Sequence, residues 1–326
     1  MSHTYPAVSV IMPILNEERH LASAIDRVLN QRYPAEIEIV LALGPSKDKT
    51  NLIAKDWLQR NSNIVLVENP SGKTPAALNI AIKNSKHPII VRLDGHALIE
   101  SDYIQLAVET LQQTQADNVG GIMDAQGTTS FEKSVARAMT SKFGVGNAPF
   151  HVGGAAGEAL TVYLGVFRRE IFEKVGWFDE SFIRAQDWEM NHRIRINGGK
   201  IWFNPDLKVT YRPRPNIFSL AKQYFQYGQG RRHISQRHSG TISLRYLTPP
   251  VTVIGVLLGT LLAIIGDWQS ISLLHFGFLA PASYLTAVLL ASIVNVKNLG
   301  FKSALYLPIV FICMHFCWGV GFLKPR

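Results

Sequence analysis

Short runs of β-branched and aliphatic residues alternate with amphipathic stretches through the first third of the chain. Val8–Met12, Ile37–Leu43, Ile64–Glu68 and Ile89–Leu93 have the length and composition of buried strands, and Leu21–Leu29, Asn51–Leu58, Ala76–Ile82 and Tyr103–Leu111 read as helices. Strand and helix in strict alternation predict an α/β domain built on a mostly parallel sheet. Such strands are covered on both faces, so ligands collect where they end and the chain turns into loops. The polar groups at those ends are Pro13 to Glu17 after the first strand, Gly44 to Asp48 after the second, Asn69 to Lys73 after the third, and Asp94-Gly95-His96 after the fourth.

Past residue 118 the pattern is less regular. The glycine-rich stretch Gly144–Gly157 admits two readings, a flexible loop or a phosphate cradle, and lacks the spacing of a dinucleotide or P-loop fingerprint. Leu160–Phe167 reads as strand or helix, a helix runs from Asp187 to Ile196, and a polar, aromatic helix from Asn216 to Gln236. Three apolar segments follow: Pro249–Gly266, Ser270–Val294 and Ala304–Leu323. A buried helical core is the soluble alternative; three such runs holding one acidic residue favour transmembrane helices. The chain is thus divided into a catalytic-type domain over 1–215, a basic juxtamembrane segment over 216–246 and a membrane domain over 247–326.

Charge placement changes the picture more than composition does. The net charge is +9, yet the first 206 residues carry 21 basic and 23 acidic side chains, while twelve Lys and Arg after Asp206 face Asp267 alone. Positive charge beside apolar runs favours an anionic membrane surface over nucleic acid, for which no motif is present. Cys313 and Cys317, both inside an apolar run, exclude a disulfide framework and a cysteine-rich zinc module. Met1–Pro6 lacks the charged start of a signal peptide, so the N-terminal part is expected in the cytoplasm, with a multi-pass anchor in the inner membrane. The basic residues from Lys208 to Arg245, with Lys297 and Lys302, place the flanking loops on the cytoplasmic side, and three spans would send Lys324 and Arg326 outside; a re-entrant or interfacial segment among the three is the alternative.

Asp94 and His96, two residues apart at a strand end, leave on one side and suit a divalent cation or a ribose; a plain turn is the bland reading. Asp187 at the start of its helix suits a general base, or equally a helix N-cap. Glu189 and Arg193 have the spacing of a surface ion pair. Lys73 and Arg231 are cations for a diphosphate, or ordinary surface and headgroup charges.

The ordered set Val8 to Glu17, Ser46 to Thr50, Asn69 through Lys73 to Asn79, Asp94-Gly95-His96, Phe178-Asp179-Glu180 and Gln186-Asp187-Trp188-Glu189 resembles the family 2 glycosyltransferases of the GT-A fold. The similarity covers about the first 245 residues and is greatest to membrane-attached bacterial enzymes of the succinoglycan glucosyltransferase type and their actinobacterial relatives. It implies an inverting hexosyltransferase that uses a nucleotide-diphosphate sugar and a divalent cation, Mn2+ or Mg2+. Carried over by position, Pro13, Asn16 and Glu17 line the nucleotide pocket, with Ser46, Lys73, Asn79 and Arg231 also at the donor. Asp94 meets ribose or metal, His96 takes a metal-ligand position, and Asp187 is the catalytic base.

Two departures bear on specificity. Leu43-Gly44-Pro45-Ser46 stands where the family has an Asp-Asp-Gly-Ser type turn, and His96 replaces the second carboxylate of Asp-x-Asp, which favours manganese over magnesium. Gln226 to Arg231 occupies the place of the gating motif of processive relatives but lacks its Trp. The expected acceptor is a polyprenyl-linked glycan at the membrane. A polyprenyl-monophosphate sugar synthase and a catalytically silent membrane scaffold are the alternatives.

Overall fold

A computed structural model describes residues 5–324; positions 1–4, at the start of the segment read as leaderless, and 325–326, with the Arg326 of the topology reading, lie outside them. The elements are β1 (Val8–Ile14), α1 (Leu21–Leu29), β2 (Ile37–Leu43), α2 (Thr50–Arg60), β3 (Ile64–Glu68), α3 (Thr74–Lys83), β4 (Ile89–Arg92), β5 (Leu98–Ile99), α4 (Tyr103–Thr114) and β6 (Asn118–Ala125). Then come α5 (Ser130–Met139), α6 (Lys142–Val145), α7 (Pro149–Val152), β7 (Gly157–Glu158), β8 (Tyr163–Arg168), α8 (Glu170–Val175), α9 (Gln186–Ile196) and β9 (Ile201–Tyr211). The last are α10 (Ile217–Arg237), α11 (Leu244–Gln269), a 3-10 helix over Ser272–Phe278, α12 (Leu279–Asn295) and α13 (Phe301–Leu323).

The chain forms two compact units, one of residues 1–124 and 148–211, the other of 125–147 and 212–326. The first is a mixed sheet in the order β3-β2-β1-β4-β8-β6-β9-β5, with β7 on β9. Strands β3, β2, β1 and β4 are parallel, and β8 joins β4 antiparallel. Alternation along the strands serves two cores. Val8, Val10, Met12, Leu41 and Val91 pack with α1 and α4, while Ile11, Val40, Ala42 and Ile90 pack with Leu78 and Ile82 of α3 and Met190 and Ile194 of α9.

The first strand does not stop at Met12. It stays in register with β2 as far as Ile14 opposite Leu43, whereas pairing with β4 ends at Ile11, so Pro13, which has no N–H to give, costs that side no ladder bond. The Gly144–Gly157 stretch is not an open loop: it holds α6 and α7, each closed by a glycine in the left-handed region, Gly146 at φ 70° and Gly153 at φ 78°. The ambiguous Leu160–Phe167 is a strand, β8.

In the second unit α5 opens with a capping box, Glu132 N–H donating to Thr129 Oγ1 at 3.2 Å and Thr129 N–H to Glu132 Oε2 at 3.0 Å. It packs on α13, where Ser134 Oγ donates to the Ser303 carbonyl and Arg137 Nη2 to that of Lys297 at 2.8 Å. The Phe143 ring meets Phe311 edge-on at 5.1 Å. His315 Nε2 lies 2.8 Å from the Phe143 carbonyl and Nδ1 3.2 Å from Tyr284 Oη, which fixes the tautomer as donor at Nε2 and acceptor at Nδ1. Helices α10 and α13 touch backbone to backbone: a Cβ on Gly228 would lie 2.0 Å from the Trp318 carbonyl, and one on Gly321 2.1 Å from that of Phe225. Three helical segments, 244–269, 272–295 and 301–323, are long and apolar enough to cross a membrane, with mean hydropathies of 2.1, 1.8 and 1.8. The first begins ahead of Pro249 and Pro250, whose missing donors orphan only carbonyls of its opening turn.

Candidate active site

The loops after β1 to β4 are sewn together at the carboxyl edge of the sheet. Gly44 N–H donates to Ile14 O and Asn69 N–H to Leu43 O, both at 2.8 Å, so each strand end carries the start of its neighbour's loop. Asn16 has φ 56°, a left-handed conformation that Asn tolerates, and it is held from both sides: its N–H donates to Ser46 Oγ at 3.0 Å, and its Oδ1 accepts from Lys47 N at 2.8 Å. Glu17 N–H donates to Thr50 Oγ1 at 2.7 Å. Hydrogen bonds from Thr50 hold the Asp48 carboxyl below its ordinary range, and Asp48 also accepts from Glu18 N at 3.3 Å. Asn16, Glu17 and Ser46 therefore form one stitched rim, entered from Pro13 near the end of β1.

Glu17 reaches from that rim to the fourth strand end, its Oε1 lying 2.8 Å from His96 Nδ1. A carboxylate on Nδ1–H puts the lone pair on Nε2, the usual support for a metal-ligating imidazole. Among the described residues no group of three or more His, Cys, Asp and Glu could hold a metal ion. Asp94 and His96 thus offer a two-donor set, one oxygen and one nitrogen, that suits a cation only if the donor's phosphates supply the rest.

The sequence reading passed over Arg92. Residues 90, 92 and 94 share one face of β4 by the two-residue period, the face against which α9 lays Met190 and Ile194. Asp187 stands three residues before Met190 and so points the same way. The result is an arginine with a side chain only 3% exposed whose Nη2 lies 3.3 Å from Asp94 Oδ1 and whose Nη1 pairs with Asp187 Oδ1. One buried guanidinium bridges the two carboxylates. The capping alternative for Asp187 is set aside by position: the N-cap is Ala185, and Asp187 is the second helical residue, where its charge favours the helix dipole.

Asn79 and the Glu189–Arg193 pair hold the surrounding structure. Asn79, 6% exposed, donates through Nδ2 to Phe178 O at 2.8 Å and Glu180 Oε1 at 3.1 Å and accepts from Phe178 N at 2.9 Å, fixing the loop that leads to α9. Glu189 and Arg193 are not a surface pair. Glu189 is 2% exposed, the guanidinium grips it at 2.7 and 2.8 Å, and Arg193 also donates to the carbonyls of Val175, Gly176 and Trp177. Lys73 is exposed at the N-cap of α3. Arg231 belongs to the second unit, where it is buried, stacked 3.7 Å over the Tyr246 ring and bonded to the Thr241 carbonyl; burial draws its guanidinium down to about 10. Neither a surface nor a headgroup charge describes it.

The sequence model described as Glycosyl transferase family 2 matches residues 9–176, from the second residue of β1 past the end of β8. The chain belongs to that family. A succinoglycan biosynthesis protein of Rhizobium meliloti is 30% identical over 320 residues, 97% of this glycosyltransferase and 93% of that protein. A dolichyl N-acetyl-α-D-glucosaminyl phosphate 3-β-D-2,3-diacetamido-2,3-dideoxy-β-D-glucuronosyltransferase of Methanococcus voltae is 29% identical over 230 residues, 68% of this chain and 71% of that one. In fold the transferase is similar to a mannosyltransferase from Pyrobaculum calidifontis solved with GDP-Man and Mn2+, with a TM-score of 0.60 at 18% identity over 98% of this chain and 88% of that one. It is also similar to S. aureus TarS 1–349 in complex with UDP, with a TM-score of 0.51 at 17% identity over 84% and 87%. The GT-A fold expected from the sequence is the fold found.

Proposed function

We propose that this glycosyltransferase moves a sugar from a nucleotide-diphosphate sugar to a lipid-linked glycan in polysaccharide synthesis, with inversion at the anomeric carbon, from the cytoplasmic face of the membrane. The observation that carries the reading is the Asp94–Arg92–Asp187 bridge, which sets a base carboxylate and a donor-site carboxylate on one cation at the carboxyl end of β4. In the reaction Asp187 takes the proton of the acceptor hydroxyl. The acceptor oxygen bonds to the anomeric carbon as the bond to the diphosphate oxygen breaks, and the electron pair leaves with the nucleoside diphosphate. Asp94 and His96 would hold the cation, which when bound neutralises charge on the departing diphosphate; the imidazole favours Mn2+ over Mg2+. Pro13, Asn16, Glu17 and Ser46 line the nucleotide side, with Lys73 as a cation for the phosphates.

Three findings from relatives support the reading: a name in succinoglycan synthesis, an acceptor that is a lipid phosphate sugar, and a neighbour carrying a sugar nucleotide with manganese. The second favours extension of a lipid-linked sugar over synthesis of a polyprenyl-monophosphate sugar. The test is nucleoside-diphosphate release by the full chain in lipid, over a panel of sugar nucleotides with and without Mn2+. Release that needs a lipid-linked acceptor and falls about 10²- to 10⁴-fold in Asp187→Asn, with donor binding kept, is the expected result. A folded, donor-binding protein that releases nothing would instead be a silent scaffold.

A further inference from the structure

Of the three apolar helices, α13 is held differently from the others. Within its apolar window 44% is buried, against 28% for the 244–269 helix and 11% for 272–295. Much of what covers it is polar chain, alongside the opening turns of α11, where a Cβ on Gly319 would meet the Pro249 carbonyl at 2.7 Å, and Tyr284 of α12, 3.2 Å from His315 Nδ1. Near its start Arg137 of α5 donates to the Lys297 carbonyl at 2.8 Å and Ser134 bonds the Ser303 carbonyl. In its second half His315 bonds the Phe143 carbonyl at 2.8 Å, and Arg245 Nη2 donates to the neighbouring Val145 carbonyl at 2.7 Å. At its end Gly321 and Trp318 abut the backbone of α10, and the Arg232 guanidinium stands 5.5 Å over the Phe322 ring. From 297 to 322, then, the chain is flanked by Arg137 of α5, Arg232 of α10 and Arg245 in the opening turn of α11.

We propose that α13 lies in the plane of the membrane surface and does not cross the bilayer, so that the apolar tail is a two-helix hairpin, α11 and 272–295, with α13 returned along the face from which α11 starts. The helix is about 35 Å long at 1.5 Å per residue, longer than the roughly 30 Å hydrocarbon core. Were it upright, α5 at its first half and α10 at its second would be carried through that core. Lys222, Arg231, Arg232 and Arg237 of α10 would go with them, in a region where Asp267 is the sole acidic residue after Asp206.

The exposed side chains of α13 agree with an in-plane helix. Phe301, Leu305, Tyr306, Ile309, Val320 and Leu323 are 78, 60, 43, 54, 41 and 45% exposed, and at 100° per residue they fall within one arc of about 140°. That is the single apolar stripe of an interfacial helix, facing lipid on one side with α10 and α5 on the other. The far turn of the hairpin carries its own polar groups, Asp267 paired with His275 at 2.7 Å and Trp268 85% exposed, as a turn at the opposite surface requires. The arrangement also keeps Lys324 beside the other basic residues, where the charge bias puts it.

The test is the full chain with Cys313 and Cys317 replaced by Ser and single cysteines placed as Arg237→Cys, Ser270→Cys or Lys324→Cys, probed in sealed vesicles of both orientations with a membrane-impermeant maleimide. Position 324 is expected to react from the same side as 237, and 270 from the other; reaction of 324 with 270 overturns the proposal. Spin labels at Leu305→Cys and Val320→Cys in liposomes give an independent reading. An upright helix sets them about 22 Å apart in depth, an in-plane one within about 5 Å, and a difference above about 10 Å overturns it. If the cysteine-free background fails to fold, an epitope tag joined after Arg326 of the otherwise native chain reports the same side.

Discussion

Replacing Asn79 by Asp separates a positioning role from a donor-binding one. The substitution conserves shape, so no cavity opens, and the bond from Phe178 N survives. What goes is the Nδ2 donor, which serves Phe178 O at 2.8 Å and the Glu180 carboxylate at 3.1 Å. The first bond is worth about 1 kcal/mol and the second, to a charged acceptor, about 2 kcal/mol, before the new carboxylate's repulsion from Glu180 is added. A loss of about 3 kcal/mol lowers the melting midpoint by roughly 6–12 °C for a unit of this size. The assay is a thermal scan of wild type and Asn79→Asp in detergent, paired with KM for the sugar nucleotide well below both midpoints. The expected outcome is a lowered midpoint, reduced kcat because the 178–186 loop delivers Asp187, and KM within about threefold. A midpoint within 1–2 °C of wild type, with KM raised about tenfold, would put the amide on the donor and refute the reasoning.

Arg193→Met strands a carboxylate that is 2% exposed and three backbone carbonyls, and should cost about 3–5 kcal/mol by denaturant titration; a loss under about 1 kcal/mol would mean Glu189 is not buried in solution. Gly121→Ala would set a Cβ 1.8 Å from the Leu207 carbonyl, across two strands, so soluble, folded protein should vanish from size-exclusion profiles at any growth temperature. Asp48 has a lowered pKa in the fold, so its contribution to stability is full above the unfolded carboxylate value near 4 and is lost as pH falls through the lower folded value. Asp48→Asn should accordingly flatten the acid side of the stability profile and leave its neutral side sloped as before.

The sequence reading reached most of the parallel half because there each element is specified locally. Leu21–Leu29, Ile37–Leu43 and Ile64–Glu68 have the bounds their hydrophobic periods predict. The two-residue strands β5 and β7 were out of reach, since only pairing with β9 defines them. The strand ends that bear Pro13, Asn16, Glu17, Asp94 and His96 were legible from topology alone, but the links between them were not. Arg92 lies inside the strand run Ile89–Leu93 and carries no signal of its own, and only the packing of α9 on that face shows that it meets Asp187. Asn79, equally polar and equally close to the donor loops, turned inward to Phe178 because a neighbouring loop offers it both a carbonyl and an N–H. The segment 125–147 gave no sign of leaving the sheet, for its partners lie near residues 297–315.

That separation has a consequence for how the chain is made. Ser134 and the Ser303 carbonyl it bonds are 169 residues apart in sequence, and the His315 contact to Phe143 spans 172. At 5–20 residues per second the ribosome needs roughly 10–30 s to deliver α13 after α5 has emerged. During that interval the apolar face of α5, with Val135, Ala138 and Met139, has no partner, although the strands on either side of it can already pair. The nascent protein must therefore hold an open loop through most of its synthesis and close it last, with the final helix acting as the bolt.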